Sequence, residues 1–238
     1  MTVFITGGSG GIGSAMVKEF ASLGYNVAFT YKSGEKAAKE LEAAVPGSLA
    51  IYCDVAKSES VNEAVKASVS RFGGIDVLIN NAGIAGQRLF TDITEDEWDE
   101  MIDVNLKGCF LTCKAILPGM IRQKSGVIIN VSSMWGICGA SCEVHYSAAK
   151  SGVIGLTKAL AKEVGLSGIR VNCIAPGVID TPMNANFSPE DMAALKEEIP
   201  LNYIGTPETI AKTASFLAGD GGEYITGQVI SPNGGMVI

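Results

Sequence analysis

The chain has 238 residues, 47% of them hydrophobic and 18% charged, a length that fits one larger domain and a composition that excludes disorder. Its 29 glycines stand well above the ~7% of average usage but follow no triplet period, which excludes a collagen-like array. A formal net charge of −7, with no basic stripe able to track phosphates, excludes nucleic acid as an expected partner.

Short β-branched runs alternate with longer amphipathic stretches. Val3 to Thr6 reads as a strand and is followed by a helix from about Gly11 to Leu23. Asn26 to Tyr31 is a strand, with a helix near Glu35 to Val45; Ser48 to Cys53 is the next strand, with a helix from Ser58 to Phe72. Asp76 to Asn80 precedes a long helical region from about Glu95 to Ile121. Val127 to Ser132 leads through a glycine-rich loop to a helix near Tyr146 to Val164. Ile169 to Ala175, a polar segment with a short helix around Ser188 to Glu197, a helix from Pro207 to Leu217 and a strand near Val229 complete the order. Strict alternation with near-continuous apolar strands predicts an α/β, doubly wound Rossmann fold over residues 1–238: a parallel sheet of about seven strands with helices on both faces. Apolar runs fall short of the ~18–20 residues that span a bilayer and the N-terminus has no basic region, so a soluble cytoplasmic protein with no membrane partner is expected. Six cysteines without a CxxC pair, beside a single histidine, point to free thiols rather than to a metal site.

After the first strand comes Thr6-Gly7-Gly8-Ser9-Gly10-Gly11-Ile12-Gly13, running straight into a helix. Glycines let the backbone approach a pyrophosphate, and free amides at the helix start supply donors, so Gly7, Ser9, Gly11, Ile12 and Gly13 are expected to hold a dinucleotide. At the end of the second strand the carboxylate that would bind a ribose 2′-hydroxyl is missing. Thr30-Tyr31-Lys32-Ser33-Gly34 offers hydroxyls and a cation instead, which favours NADP(H) over NAD(H) through Tyr31, Lys32 and Ser33.

Tyr146 and Lys150 stand four apart on a predicted helix and share a face. An ammonium one turn away, together with an oxidised nicotinamide ring, favours the phenolate, so Tyr146 can act as acid towards a carbonyl or base towards an alcohol. Ser133 follows the fifth strand at the edge where the cofactor should sit. Asn105 lies inside a helical region, where an amide is either a local cap or kink or a binding group. His145 diverges from Tyr146 by about 100° and is not expected to act directly.

On these residues the chain resembles the short-chain dehydrogenase/reductase family, in its single-domain branch, over essentially its whole length. The matching motifs are Thr6-Gly7 through Gly13, Asp54, Asn80-Asn81-Ala82-Gly83, Asn105, Ser133, Tyr146, Lys150 and Pro176-Gly177-Val178-Ile179-Asp180-Thr181. The resemblance implies that Asp54 and Val55 contact the adenine and that Asn81, Ala82 and Gly83 line the cofactor. It implies that Lys150 holds the nicotinamide ribose, that Ile179 and Thr181 orient the carboxamide on a segment begun by Pro176 and Gly177, and that Asn105 anchors a water joining Lys150 to solvent. The implied tetrad is Asn105, Ser133, Tyr146 and Lys150, passing hydride between nicotinamide and a carbonyl carbon while Tyr146 moves the proton and Ser133 steadies the oxygen.

The tail Tyr224 to Val229, Asn233 to Met236, and Gly205 to Glu208 resemble bacterial 3-oxoacyl-acyl-carrier-protein reductases, which makes a 3-oxoacyl thioester the expected substrate. Two departures stand against it: Ser167 where a basic residue often sits, and Cys142-Glu143-Val144-His145 in place of a Gly-Gln pair. Ser132 to Gly136 and Gly139 to Tyr146 look more like a bacterial subgroup proposed to reduce the 5-aminopentanone modification on elongation factor P. Glu143 would suit a cationic amine there, or is a solvated loop acid. A small-ketone dehydrogenase and a non-catalytic dinucleotide-binding regulator are the other readings. The substrate is therefore expected to be a small or carrier-bound carbonyl compound. Trp135 either walls the pocket or fills the core, Cys109 and Cys113 pack, and Pro182 to Pro200, with Met183, Phe187, Met192 and Leu195, forms a lid. Apolar side chains on more than one face of Trp98 to Ile121 and of the helix after Tyr146 predict a homo-oligomer, a dimer or tetramer.

Overall fold

The structure, a computed structural model, describes residues 1–182 and 188–238. Seven strands form one sheet: β1 (Thr2–Ile5), β2 (Asn26–Tyr31), β3 (Ser48–Tyr52), β4 (Val77–Asn80), β5 (Gly126–Val131), β6 (Ile169–Ile174) and β7 (Val229–Ile230). All neighbours are parallel, in the order β3-β2-β1-β4-β5-β6-β7. The order reverses between β1 and β4, and in such sheets that crevice is where a ligand binds.

Nine helices are described: α1 (Gly11–Ser22), α2 (Glu35–Ala44), α3 (Ser58–Phe72), α4 (Glu95–Ile102), α5 (Gly108–Gln123), α6 (Trp135–Cys138), α7 (Val144–Val164), α8 (Pro189–Glu198) and α9 (Pro207–Ala218). The two-residue period of a strand sends alternate side chains to opposite faces. Val3, Ile5, Val77 and Ile79 join one core cluster, with Met16 and Phe20 of α1 and Ile210 and Leu217 of α9. Phe4, Leu78 and Ile128 join the other, with Val61 of α3, Ile116 and Met120 of α5, and Val164 of α7. Both faces are therefore covered, which is why these strands are mostly apolar, with Thr2, Asn80 and Asn130 as buried exceptions.

Three details depart from the periodicity. The long helical region is two α-helices joined by a π-helical turn, Asp103–Lys107, which holds Asn105. Part of the glycine-rich loop is the short helix α6, and α7 begins at Val144, two residues earlier than expected. Among the described residues, the continuous helix Glu95–Gln123 is also long and apolar enough by composition to cross a bilayer, which the sequence reading excluded for every segment. Its apolar side chains have another use: Met101, Cys109, Cys113, Ile116 and Met120 are buried against the sheet and α7.

Candidate active site

The glycine loop is built by close approach. Gly7 takes a left-handed φ of +64°, and a Cβ there would lie 2.9 Å from Ala82 Cα. A Cβ on Gly8 would lie 2.5 Å from Phe29 Cβ, and one on Gly13 would collide with the Gly7 carbonyl. Side chains pin the turn from both neighbouring strands. Thr30 Oγ1 accepts from the Gly7 amide at 3.2 Å, and Thr6 Oγ1 accepts from the Asn81 and Ala82 amides at 3.0 Å each. Asn81 Nδ2 donates to the Thr6 and Gly7 carbonyls at 3.1 Å. The first turn of α1, by contrast, has no side-chain cap, so the amides that open the helix are left without a capping side chain among the described residues. Uncapped amides over a glycine floor are a fitting cradle for the pyrophosphate of a dinucleotide. Ser9, Gly11 and Ile12 stay partly exposed along it, and a Cβ on Gly11 would touch Thr181 at 2.9 Å.

In the segment after β2, two of the hydroxyls are buried. Thr30 is buried beneath the loop, where its hydroxyl accepts from the Gly7 amide, and this burial keeps it from a 2′-phosphate. Tyr31 is buried too, and its hydroxyl donates to Glu35 at 3.4 Å. Lys32 and Ser33 are exposed, but Lys32 Nζ already pairs with Asp54 at 3.0 Å. Burial would raise the Asp54 carboxyl, yet that ammonium and the Ala56 amide outweigh it and hold the group below the ordinary carboxylate range. Val55 turns its side chain into the core: a Cβ on Gly108 of α5 would meet Val55 Cγ2 at 3.0 Å.

At the β5 end, Lys150 is 4% exposed and its Nζ donates to the Val131 carbonyl at 3.0 Å, while Ser132 Oγ donates to the Lys150 carbonyl at 2.8 Å. These two bonds tie α7 to β5. Lys150 Nζ lies 5.6 Å from the centre of the Tyr146 ring, as the four-residue spacing on α7 requires. Tyr146 packs with Met101, Ala149 and the partly exposed Trp135, and its hydroxyl has no hydrogen-bond partner among the described residues. Ser133 accepts from the Trp135 amide at 3.2 Å, which leaves its own proton to donate. Asn105 is fully buried; its amide donates to the Ile84 and Met101 carbonyls at 3.0 and 3.1 Å, and its Oδ1 accepts from the Ile84 amide at 3.2 Å. The π turn places it there, since an extra residue in the turn redirects the side chains of a helix. Gly83 is the meeting point: a Cβ there would lie 2.6 Å from Asn105 Oδ1 and 3.3 Å from Lys150 Nζ.

The loop after β6 closes the other wall, against the loop after β5. Pro176 accepts from the Met134 amide at 2.9 Å, a Cβ on Gly177 would meet Asn233 Cα at 2.7 Å, and the buried Ile179 pairs with Gly205. At the mouth, Gln87 donates to Glu143 Oε1 at 3.5 Å and the Arg88 amide donates to the Cys142 carbonyl at 2.7 Å. Burial raises the Glu143 carboxyl above its ordinary range, opposed by the Gln87 bond. His145 is buried, with Nδ1 unpartnered among the described residues. Of the expected lid, α8 carries Met192 and Leu195, both partly exposed, whereas Met183 and Phe187 lie outside the described residues. Thr6, Thr30 and Asn81 are the site-shaping side chains that the motifs did not single out as loop pins; a buried hydroxyl at a strand end beside a glycine turn is the signal for them.

A family model described as "Enoyl-(Acyl carrier protein) reductase", one of the short-chain dehydrogenase/reductase models, matches residues 7–237. Proteins named 3-oxoacyl-[acyl-carrier-protein] reductase FabG are similar throughout. The one from Staphylococcus epidermidis is 44% identical over 99% of this chain and 98% of its own, and that from Chlamydia trachomatis is 43% identical over 99% and 96%. The Staphylococcus aureus protein is 44% identical over 99% and 97%. The chain belongs to the short-chain dehydrogenase/reductase family and is an NAD(P)-dependent oxidoreductase acting on a carbonyl or alcohol group.

Proposed function

We propose that the chain is a reductase of 3-oxoacyl thioesters that works through Tyr146, Ser133, Lys150 and Asn105 and prefers NADP(H). The observation that carries this reading is the convergence at Gly83, where Asn105 Oδ1 and Lys150 Nζ flank one glycine and Lys150 also reaches the Tyr146 ring. The names of the full-length relatives supply the substrate class. When bound along the glycine loop, a reduced nicotinamide supplies the hydride for the carbonyl carbon. Tyr146 gives its hydroxyl proton to the carbonyl oxygen, and Ser133 donates a hydrogen bond to the same oxygen. The Lys150 ammonium, held by the Val131 carbonyl, offsets the phenolate charge until Tyr146 is reprotonated from solvent on the Asn105 side. Tyr146→Phe is expected to abolish oxidation of NADPH by a 3-oxoacyl thioester while leaving cofactor binding within a few-fold. Near-normal turnover in that variant overturns the assignment.

The NADP(H) preference rests on Lys32 and Ser33, the exposed groups after β2. A charge-assisted bond to a 2′-phosphate is worth about 1.5–3 kcal/mol, reduced here because Lys32 must leave Asp54. Lys32→Ala should raise KM for NADPH roughly ten-fold and leave KM for NADH unchanged. Equal effects on both cofactors would remove Lys32 from this role. Exposed Trp98, Phe110 and Ile121 support assembly as a homo-oligomer in the cytoplasm, and a monomer by light scattering at micromolar concentration would contradict it.

A second reading has one observation in its favour. Glu143, three residues ahead of Tyr146, is a half-buried carboxylate with no cation beside it among the described residues, which suits an amino-ketone substrate. If Glu143→Ala leaves the discrimination between an amino-ketone and a neutral ketone unchanged, that reading fails.

A further inference from the structure

Thr112, Asn80, Asn130 and Thr157 form an unbroken line of hydrogen bonds through the core, and none of them touches the reacting groups. They belong to α5, β4, β5 and α7, and each is at most 2% exposed. The Thr112 hydroxyl donates to Asn80 Oδ1 at 2.5 Å, and Asn80 Nδ2 donates to Asn130 Oδ1 at 2.8 Å. Asn130 Nδ2 donates to Thr157 Oγ1 at 2.9 Å, and the Thr157 hydroxyl donates to the Val153 carbonyl at 2.8 Å. Every donor points the same way, so each bond polarises the next. Asn80 and Asn130 stand opposite each other in the register of β4 and β5, which lets the line cross the sheet without a break.

Stability does not explain this arrangement. A buried polar set replaced by apolar groups of the same shape is often no less stable, because desolvation offsets most of what the bonds contribute. What the line supplies is position. Apolar helix faces tolerate sliding by a fraction of an ångström; a hydrogen bond to a fixed strand does not. The line begins on α5, two turns beyond Asn105, and ends at Val153, one turn beyond Lys150. Ser132 and Lys150 tie α7 to β5, and among the described residues this line links α7 to α5 through polar contacts.

We propose that Thr112, Asn130 and Thr157 are positioning residues that fix the register of α5 against α7 and thereby hold Asn105 Oδ1 and Lys150 Nζ on the two sides of Gly83. The inference rests on the reading in which those two groups serve catalysis. Thr157→Val keeps the shape and removes both bonds. It is expected to lower kcat on the order of ten-fold, with cofactor Kd unchanged, and to speed amide hydrogen exchange in residues 103–109 and 144–150. Thr157→Ser, which keeps the hydroxyl, should restore both. Val164→Ala, at the far end of α7 in the apolar core, should lower Tm at least as much and leave kcat within two-fold. Wild-type kcat and exchange in Thr157→Val overturn the proposal, as does a kcat loss in Val164→Ala equal to that in Thr157→Val. If Thr157→Val does not fold, Thr112→Val at the other end is read in the same way; failure of both to fold makes the line a stability element and overturns the proposal. A wild-type protein inert on every carbonyl removes the catalytic reading, while the exchange measurement still decides the register.

Discussion

Gly83→Ala puts the smallest perturbation at the most crowded point of the site. Gly83 has no left-handed φ, so the added methyl acts by volume alone. It would lie 2.6 Å from Asn105 Oδ1 and 3.3 Å from Lys150 Nζ, and ordinary contact begins at 3.4 Å, so Asn105 must retreat by about 0.8 Å. Retreat is obstructed, because Asn105 is fully buried and its amide is held by Ile84 and Met101. Overpacking of this kind costs roughly 1–3 kcal/mol, and a displacement approaching 1 Å in a reacting constellation costs up to about 100-fold in rate. The expected result is a Tm lower by roughly 3–8 °C for a chain of this size, with kcat reduced 10- to 100-fold. Gly119→Ala on α5 is the control, since its methyl would meet nothing nearer than Arg122 at 4.0 Å and should stabilise by about 0.5–1 kcal/mol. Thermal melts and steady-state kinetics on both variants decide the matter. A Gly83→Ala protein with the melting temperature and kcat of the wild type refutes the close approach of Asn105 and Lys150.

Asp54→Asn tests the pair with Lys32. A carboxyl depressed in the folded state adds stability above its unfolded pKa of about 4, and that stability is lost as pH falls through the folded value. The variant should be less stable by roughly 1 kcal/mol at pH 7, less in high salt because Lys32 is half exposed, and the gap should close as pH drops below the ordinary carboxylate range; a gap independent of pH would refute the pairing. Burial pushes the Cys53 and Cys109 thiols up to about 11 and Cys173 up to about 12, with Cys113 higher still. A thiol reagent at pH 8 should therefore label exposed Cys138 first, then Cys142, and reach the four buried cysteines only on unfolding, as peptide mapping would establish. Cys142 holds a φ of +61°, so Cys142→Gly should raise Tm by roughly 2 °C, and a fall would mean that its side chain contributes more than the strain removes.

The fold was legible because a parallel sheet covered on both faces leaves little choice of residue. Val3-Phe4-Ile5 and Val77-Leu78-Ile79 must be apolar at every position, and each is followed by a helix with its own apolar face. The Tyr146–Lys150 pair was legible for a similar reason: two residues four apart on one helix meet whatever the rest of the chain does. Asn105 was only half legible. Its isolation inside a helix was visible, but a π turn keeps nearly the same apolar rhythm as the α-helix around it, so the sequence carries no mark of the extra residue. Lys32 and Asp54 were assigned to opposite ends of the adenosine, although they lie on loops from neighbouring strands within 3.0 Å of each other. Local pattern says nothing about such a meeting.

The same limit explains why the polar core went unread. Asn80, Asn130 and Thr157 look unfavourable one at a time, an amide on each of two buried strands and a hydroxyl inside a helix, and only the register of β4 on β5 makes them partners. A buried amide has at least three bonds to satisfy and no water to satisfy them, so each residue restricts where the next element can lie. Thr6, Thr30 and Asn81 act in the same way on the glycine loop. Apolar burial therefore accounts for the existence of the sheet and its helices. The sub-ångström placement of the loop, of Asn105 and of Lys150 comes from these few satisfied polar groups, which is why variants that preserve volume but remove a hydroxyl are expected to lower rate as well as stability.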